Sequence, residues 1–525
     1  MNCTYTRGSE WRIWDLHVHT PDSALNNQFI GNTYDEKWEN YISKLESLDK
    51  RVKVLGITDY FSIDGFLKTR EYKRKGRLKN IDFILPNVEM RIIPVTGDNR
   101  AINLHILFNP EIVDMLETKF FTSIEFNYQG EKIKCTKNDL IRLGKKYTGN
   151  YQLDDKVAFE KGVEQFKIVD PYKLKELIIN DEILKRNSMI LVVNSSTDGN
   201  SGIKHSSLKT IREEIYRLSD GIFSGNPNDT TYFLGEGVDS KEKIISKYGS
   251  IKPCIHGSDA HCLDKLAKPD KNRFTWIKAD PTFNGLKQIL NDPQNRVFIG
   301  EYPQKLKLID EKRGNFIESI EVKEASDVLL DKKWFDAYLQ LNPDLVTIIG
   351  NKGSGKSALA DIIGLLGNTQ NHERFSFLSK IRFNNKLDNY GDKFKSTIIW
   401  KNGFSEEKKL SSKVYSNIER VKYLPQQYIE SVCNDLDDTF QKEINRIIYS
   451  YLPENEKLGE FNFQNLMKKL CLNIENDIKT VKNKISEVNS RIIQLENFKK
   501  NEVKNRVENL IQQKTEELEI HRHNK

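Results

Sequence analysis

A chain of 525 residues exceeds what one hydrophobic core usually supports, so its length predicts two or three domains. With 38% hydrophobic and 30% charged residues and no apolar run long enough to span a bilayer, the composition excludes a membrane-embedded protein, and a net charge of +7 is too small to mark a dedicated nucleic-acid binder. Six scattered cysteines build no disulfide framework and the amino terminus has no apolar signal core, so a cytoplasmic protein in a reducing compartment is expected.

From residue 11 to about 300 the chain alternates strand-like runs with amphipathic helical segments, the pattern of an α/β domain. The predicted strands are RIWDLHVH, VKVLGITD, IDFILPNVE, INLHILF, MILVVN, GIFSG and KPCIHGSD. Between them Trp38, Tyr41, Leu45 and Leu48 recur at helical spacing, as do Leu208, Ile211, Ile215 and Leu218. Asp170-Pro171 reads as a helix N-cap followed by proline at the first helical position, and GDNR at 97–100 reads as a hairpin turn. The charged stretch KLKLIDEKRGN marks a boundary near 300–315, after which FIESIEV and LVTIIG predict the strands of a second α/β unit running to about 470. From Ile474 the residues Ile478, Val481, Ile485, Val488, Ile492 and Leu495 step alternately by four and three, a coiled-coil seam that loses phase near Lys499.

Within the first predicted strand, alternation puts Asp15, His17 and His19 on one face and Trp14, Leu16 and Val18 on the other. Other strand runs also close on polar groups: Asp59, Glu89, Asn194 and Asp259, with His105 inside its strand and His261 just beyond. In barrels and open parallel sheets chemistry gathers at the carboxyl ends of strands, so these groups are expected to converge. His17, His19, Asp59, Glu89, His105, Asp259 and His261 have the donor types that hold zinc, manganese or iron, and a cluster of such ions activates water and clamps a phosphate. The spacing of Cys254, His256, His261 and Cys262 does not fit a zinc finger; His256 is expected to support the site from behind.

DLHVHT, GITDY, the Glu89 and NLHILF pair, and HGSDAH, in that order, resemble the four motifs of PHP domains, the polymerase and histidinol phosphatase superfamily. The resemblance covers about residues 11 to 300. It implies a distorted seven-stranded β/α barrel that hydrolyses phosphoesters with up to three divalent ions. It also implies His17 and His19 as motif one, Asp59 as motif two, Glu89 and His105 as motif three, and Asp259 and His261 as motif four, with Asp259, His261 and His17 the catalytic set. Tyr60 stands where motif two usually has histidine, and Asn194 where a late His or Cys ligand is usual, which leaves one or two ions rather than three.

Gly350-Asn351-Lys352-Gly353-Ser354-Gly355-Lys356-Ser357 fits G-x-x-x-x-G-K-[ST] between a predicted strand and a predicted helix. Gly350, Asn351, Gly353, Ser354 and Gly355 would wrap the phosphates of ATP with backbone amides, Lys356 would reach the β and γ phosphates, and Ser357 would ligate Mg. Downstream, VKYLPQQY resembles the Q-loop of ABC-type ATPases, with Gln426 or alternatively Gln427 as the metal and water contact. Phosphate loop, Q-loop and coiled coil follow the order of the amino-terminal half-head of structural-maintenance-of-chromosomes (SMC) ATPases. The fusion of the two parts resembles the TrlF-type PHP-ATPase family, which implies nucleic-acid transactions in DNA repair or defence against phage.

The expected organisation is therefore a PHP-like barrel over 1–300, a partial P-loop head over 315–470 and a shortened coiled coil over 471–525. The expected activity is a metal-dependent phosphoesterase or nuclease linked to nucleotide binding. Two alternatives stay open: a nucleotide-dependent switch whose barrel only recognises phosphate, and a small-molecule phosphatase. Neither a Walker B strand nor a signature motif follows Ser357, so a second chain or the other half-head is expected to supply them. Nucleic acid is an expected partner, a homodimer is allowed and a membrane is not expected.

Overall fold

The computed structural model describes residues 5–204, 208–325, 336–385, 390–414, 418–425 and 439–524. The chain divides into two compact units, Met1–Gly367 with Phe383–Lys413, and Asn368–Arg382 with Val414–Lys525. Among the described residues, fifteen strands lie in the first unit: β1 Trp11–His19, β2 Val52–Tyr60, β3 Phe83–Val95, β4 Ala101–Phe108, β5 Glu125–Tyr128, β6 Glu131–Lys134, β7 Ser188–Val193, β8 Gly221–Phe223, β9 Cys254–Ile255, β10 Phe274–Lys278, β11 Val297–Gly300, β12 Ile317–Glu324, β13 Ala337–Gln340, β14 Phe394–Trp400 and β15 Ser405–Lys409.

The large sheet is nine-stranded in the order β11-β10-β1-β2-β3-β4-β7-β8-β9 and nearly closed, an α/β architecture with many surrounding helices. Beyond β9 the chain returns to β1, where Val18 bridges Ala260 and the His19 amide donates to the Ala260 carbonyl at 3.1 Å. β1 is thus flanked by β10 along Trp11–Ile13 and by the 256–260 run near its carboxyl end. The sheet is not purely parallel: β3, β4 and β7 pair antiparallel, the first two through the turn at 97–100.

Alternation along β1 is interrupted. Asp15 faces Leu55 and Val18 faces Ile57 on β2, so β1 carries an extra residue there, a β-bulge. Leu16 consequently packs in the cluster of Trp14, Val54 and Leu85, whereas Val18 joins the cluster around Trp38 and Tyr41. Trp38, Tyr41 and Leu45 are buried on the helix Tyr34–Glu46, as their spacing predicted. The Asp170 carboxylate accepts from the Tyr172 and Lys173 amides with Pro171 in the first turn of the following helix.

Two helices of the first unit, Lys137–Thr148 and Asp155–Gln165, approach at glycines that no periodicity flags. A Cβ on Gly144 would lie 1.8 Å from the Ala158 carbonyl oxygen, and one on Gly162 1.9 Å from that of Leu140. Both obstacles are backbone, so relief requires moving a helix. Gly144→Ala is expected to destabilise this unit by about 1–3 kcal/mol, read from its thermal or urea transition; an unchanged transition would contradict the close crossing.

A separate four-stranded antiparallel sheet, β13-β12-β14-β15, lies in the same unit with the helix Lys356–Leu366. The predicted strand 345–350 does not form: the segment is irregular, and Leu345 and Ile349 are 88% and 84% exposed. An apolar parallel strand needs neighbours that satisfy its backbone and cover both faces, and none of the described strands pairs with it.

In the second unit the helix Phe463–Phe498 begins at Asn462, whose side chain accepts from the Asn465 amide. The seam residues Ile474 to Leu495 all lie on it and are about half exposed, and the helix ends before Lys499, where the heptad phase fails. A further helix, Asn501–His523, follows. No helix among the described residues is long and apolar enough to cross a membrane.

Candidate functional site

The carboxyl-end half of β1 carries His17 and His19 with their Nε2 atoms 3.2 Å apart. The Glu89 Oε2 atom, delivered by β3, lies 3.3 Å from both. From the loop after β9, Asp259 Oδ1 lies 3.2 Å from His17 Nε2, 3.6 Å from His19 Nε2 and 3.4 Å from His261 Nε2. The result is two overlapping triads, His17–His19–Glu89 and His19–Asp259–His261, sharing His19.

These separations test whether an ion fits. Ligands placed tetrahedrally about 2.0–2.1 Å from a zinc-like ion stand about 3.4 Å from one another, within the spread found here. They are long for imidazole–carboxylate hydrogen bonds, whose optimum is about 2.7–2.9 Å. The triads could therefore hold a divalent metal.

Neighbouring groups orient the imidazoles. His19 Nδ1 lies 3.1 Å from Ser23 Oγ and His105 Nδ1 lies 3.1 Å from Asn87 Oδ1. Since the Asn87 oxygen can only accept, His105 carries its proton on Nδ1 and leaves Nε2 as a lone pair, which is buried without a partner. The His105 ring stands edge-on to His17 with centroids 4.4 Å apart, adjoining the triads without entering them. Asn87 itself is fixed by donating to the Leu16 carbonyl and to Thr58 Oγ1.

The loop bearing Asp259 is tied to β1 by Asp15, whose Oδ1 accepts from the Ser258 amide at 3.0 Å and the His17 amide at 3.3 Å. Gly257 permits the approach, because a Cβ there would meet His17 Cβ at 2.5 Å. Asp259 adopts a left-handed backbone with φ 47°, a costly conformation for a non-glycine residue at the point where its carboxylate turns into the cluster.

Asp59 is placed differently from its predicted companions. Its Oδ1 accepts from Thr20 Oγ1 at 2.8 Å and its Oδ2 from the Gly65 amide at 3.0 Å, so both oxygens are engaged outside the triads. Tyr60 stacks on His19 at 5.1 Å, and burial pushes its phenol far above its usual range, which keeps it protonated. Asn194 donates to Asp229 at 2.7 Å and accepts from the Tyr216 hydroxyl at 2.5 Å, a network apart from the triads. The His256 amide donates to Thr275 Oγ1, joining its run to β10.

No family model matches this chain, and no curated protein matches it.

Charge in the cluster is strongly coupled. Burial acts to lower the His19 pKa, but Asp259 and Glu89 outweigh it and raise it to about 9; His17 is raised for the same reasons. Burial acts to raise Glu89 and Asp259, yet the surrounding imidazoles hold both well below the usual carboxylate range. Burial and the neighbouring His17 depress His105 to about 3, which keeps it neutral, and burial lifts Asp59 to about 7.

In the metal-free protein, raising His19 from 6.5 to about 9 stabilises the fold fully below pH 6.5, and that contribution is lost as pH rises through about 9. An arriving ion must displace this proton. Metal affinity is therefore expected to fall about tenfold per pH unit below 9 for each proton released, measurable by calorimetric titration in buffers of different ionisation enthalpy. An affinity independent of pH between 6.5 and 8.5 would contradict displacement of protons from the imidazoles.

At the phosphate loop, Gly350, Gly353 and Gly355 have φ of 156°, 85° and 90°, and Gly355 is the N-cap of the helix Lys356–Leu366. Lys356 Nζ donates to the Gly350 and Asn351 carbonyls at 2.7 and 2.8 Å, closing the loop on itself. The Ser354 amide donates to the Asn351 carbonyl, and Ser357 sits exposed in the first helical turn. Gln426 and Gln427 lie outside the described residues.

Sequence reasoning placed Asp15 on the face of His17 and His19 without giving it a role, and missed Ser23, Asn87 and Gly257. Asn87 had a readable signal, standing two residues before Glu89 on the same strand face.

Proposed function

We propose that this chain is a metal-dependent phosphoesterase with a PHP-type barrel. The observation that carries the reading is the pair of triads sharing His19, with neighbouring donor atoms 3.2–3.6 Å apart where β1, β3 and the loop after β9 meet. A divalent ion there would supply Lewis acidity to a phosphate oxygen and a nucleophilic water at neutral pH. His17, His19 and Glu89 hold the buried side. The Asp259 side chain is 63% exposed and marks the open side, from which a phosphate would enter. His261, two residues beyond Asp259, would complete the ligand set of the second ion site on that open side. Its stacking on His19, with ring centroids 3.9 Å apart, fixes the ring there.

Metal analysis of purified protein, followed by assays with manganese on bis(p-nitrophenyl) phosphate, single- and double-stranded DNA, and RNA, tests this. Metal-dependent hydrolysis that disappears in Asp259→Asn supports it. Absence of both bound metal and turnover would favour a phosphate-recognition scaffold, and cleavage of nucleoside phosphates alone would favour a small-molecule phosphatase.

The second part of the proposal is an ATP-binding loop at 350–357, supported by its three positive-φ glycines and by the helix that starts behind it. The uncovered run 345–350 favours completion of this head by further chain, from the other half-head or from a partner. The combination, with nucleic acid as substrate in repair or phage defence, follows the resemblance to TrlF-type PHP-ATPases.

A further inference from the structure

We infer that Arg91 is a phosphate-binding residue of the metal cluster, contributing a guanidinium to the non-bridging oxygens of a phosphate ester. The inference rests on the phosphoesterase reading and extends it to a residue outside the predicted site. Successive even-spaced residues of β3 share a face: Asn87 orients His105, Glu89 sits between His17 and His19, and Arg91 comes next. The Arg91 guanidinium lies 5.4 Å from the centre of the Tyr60 ring, and Tyr60 in turn stacks on His19. Tyr60 therefore spaces a cation from the triads.

An ion-pairing role would require a carboxylate beside Arg91. Glu89, two residues away, is instead engaged through Oε2 by His17 and His19, and among the described residues no carboxylate lies within salt-bridge distance of Arg91. Arg91 is half-buried rather than solvated, and its guanidinium lies over the Tyr60 ring, which restrains where the head group sits. An arginine held this way presents a planar fork of donors whose geometry matches two phosphate oxygens. Replacement of a histidine by Tyr60 thus does more than remove a ligand: it provides the surface on which that fork rests.

The test is binding of inorganic phosphate to the full chain loaded with manganese, comparing wild type with Arg91→Met, which keeps an unbranched side chain and removes the charge. Phosphate affinity is expected to fall about tenfold or more, with manganese stoichiometry unchanged. Equal affinity in the two proteins, or no phosphate binding by the loaded wild type, overturns the inference. A second measurement needs no variant: phosphate should protect Arg91 from phenylglyoxal modification, located by peptide mass mapping, and equal labelling with and without phosphate overturns it. If Arg91→Met loses metal or fold, the protection result decides. Arg91-dependent phosphate binding without ester hydrolysis would spare this inference and sink the phosphoesterase reading; hydrolysis with Arg91-independent phosphate binding would do the reverse.

Discussion

His19→Ala is expected to remove metal from both triads, whereas His17→Ala and His261→Ala each disturb one. The difference follows from position: His19 Nε2 lies within reach of Glu89 on one side and Asp259 on the other, and its ring stacks on His261 with centroids 3.9 Å apart. Loss of an outer partner sets a lower bound on the effect. Ser23→Ala, which frees His19 Nδ1, should weaken metal binding roughly 10–100-fold, and deletion of the shared imidazole should exceed that and leave phosphoester hydrolysis at background. Elemental analysis after dialysis reads the stoichiometry directly. The fold should survive, because the cavity left by His19 opens toward polar groups and the surrounding core of Val18, Ile57 and Trp38 is untouched. Retention of wild-type metal content by His19→Ala would exclude the shared-ligand geometry.

Much of this arrangement was legible in the sequence because strands write a period of two. His17 and His19 share a face of β1 and Asp259 follows a strand, so their convergence could be read from spacing; Glu89, read as the end of its strand, stands instead in the middle of β3, opposite the last residue of β2. What escaped were effects of packing between segments distant in sequence. Asp59 has a suitable side chain at a suitable strand end, yet the Thr20 hydroxyl and the Gly65 amide hold both its oxygens. A hydroxyl 39 residues away leaves no periodic trace. The bulge in β1 likewise depends on register with β2 and moves Val18 to a different cluster from Leu16, against strict alternation. The run 345–350 shows the opposite failure: its apolar composition is right for a buried strand, but composition cannot provide the neighbours that a strand requires. The glycine crossing of Gly144 and Gly162 was invisible for a related reason, since closeness of two backbones is a property of the pair.

Lys356→Ala is expected to weaken ATP binding about 10–100-fold while leaving any metal held by the triads of the nine-stranded sheet unchanged. The structure specifies what binding must do. Lys356 Nζ is satisfied by the Gly350 and Asn351 carbonyls, so a nucleotide must replace two hydrogen bonds within the loop with stronger charge-assisted bonds to phosphate. The helix beginning at Lys356 adds amides and a favourable dipole at the same point, which persist in the variant and account for residual binding. Hydrolysis is a separate matter. Positioning magnesium and the attacking water requires carboxylates that a Walker B strand supplies, and no described strand lies beside the exposed run 345–350. The 525-residue chain should therefore bind ATP, shown by equilibrium dialysis, yet turn it over very slowly until a polypeptide carrying the remaining strands is added. If such an addition raises turnover and also orders the run 345–350, seen as slowed amide exchange at Val346 to Ile349, the missing neighbours are what limited catalysis. Steady ATP turnover by the chain alone, abolished by Lys356→Ala, would instead show that the loop and its helix suffice.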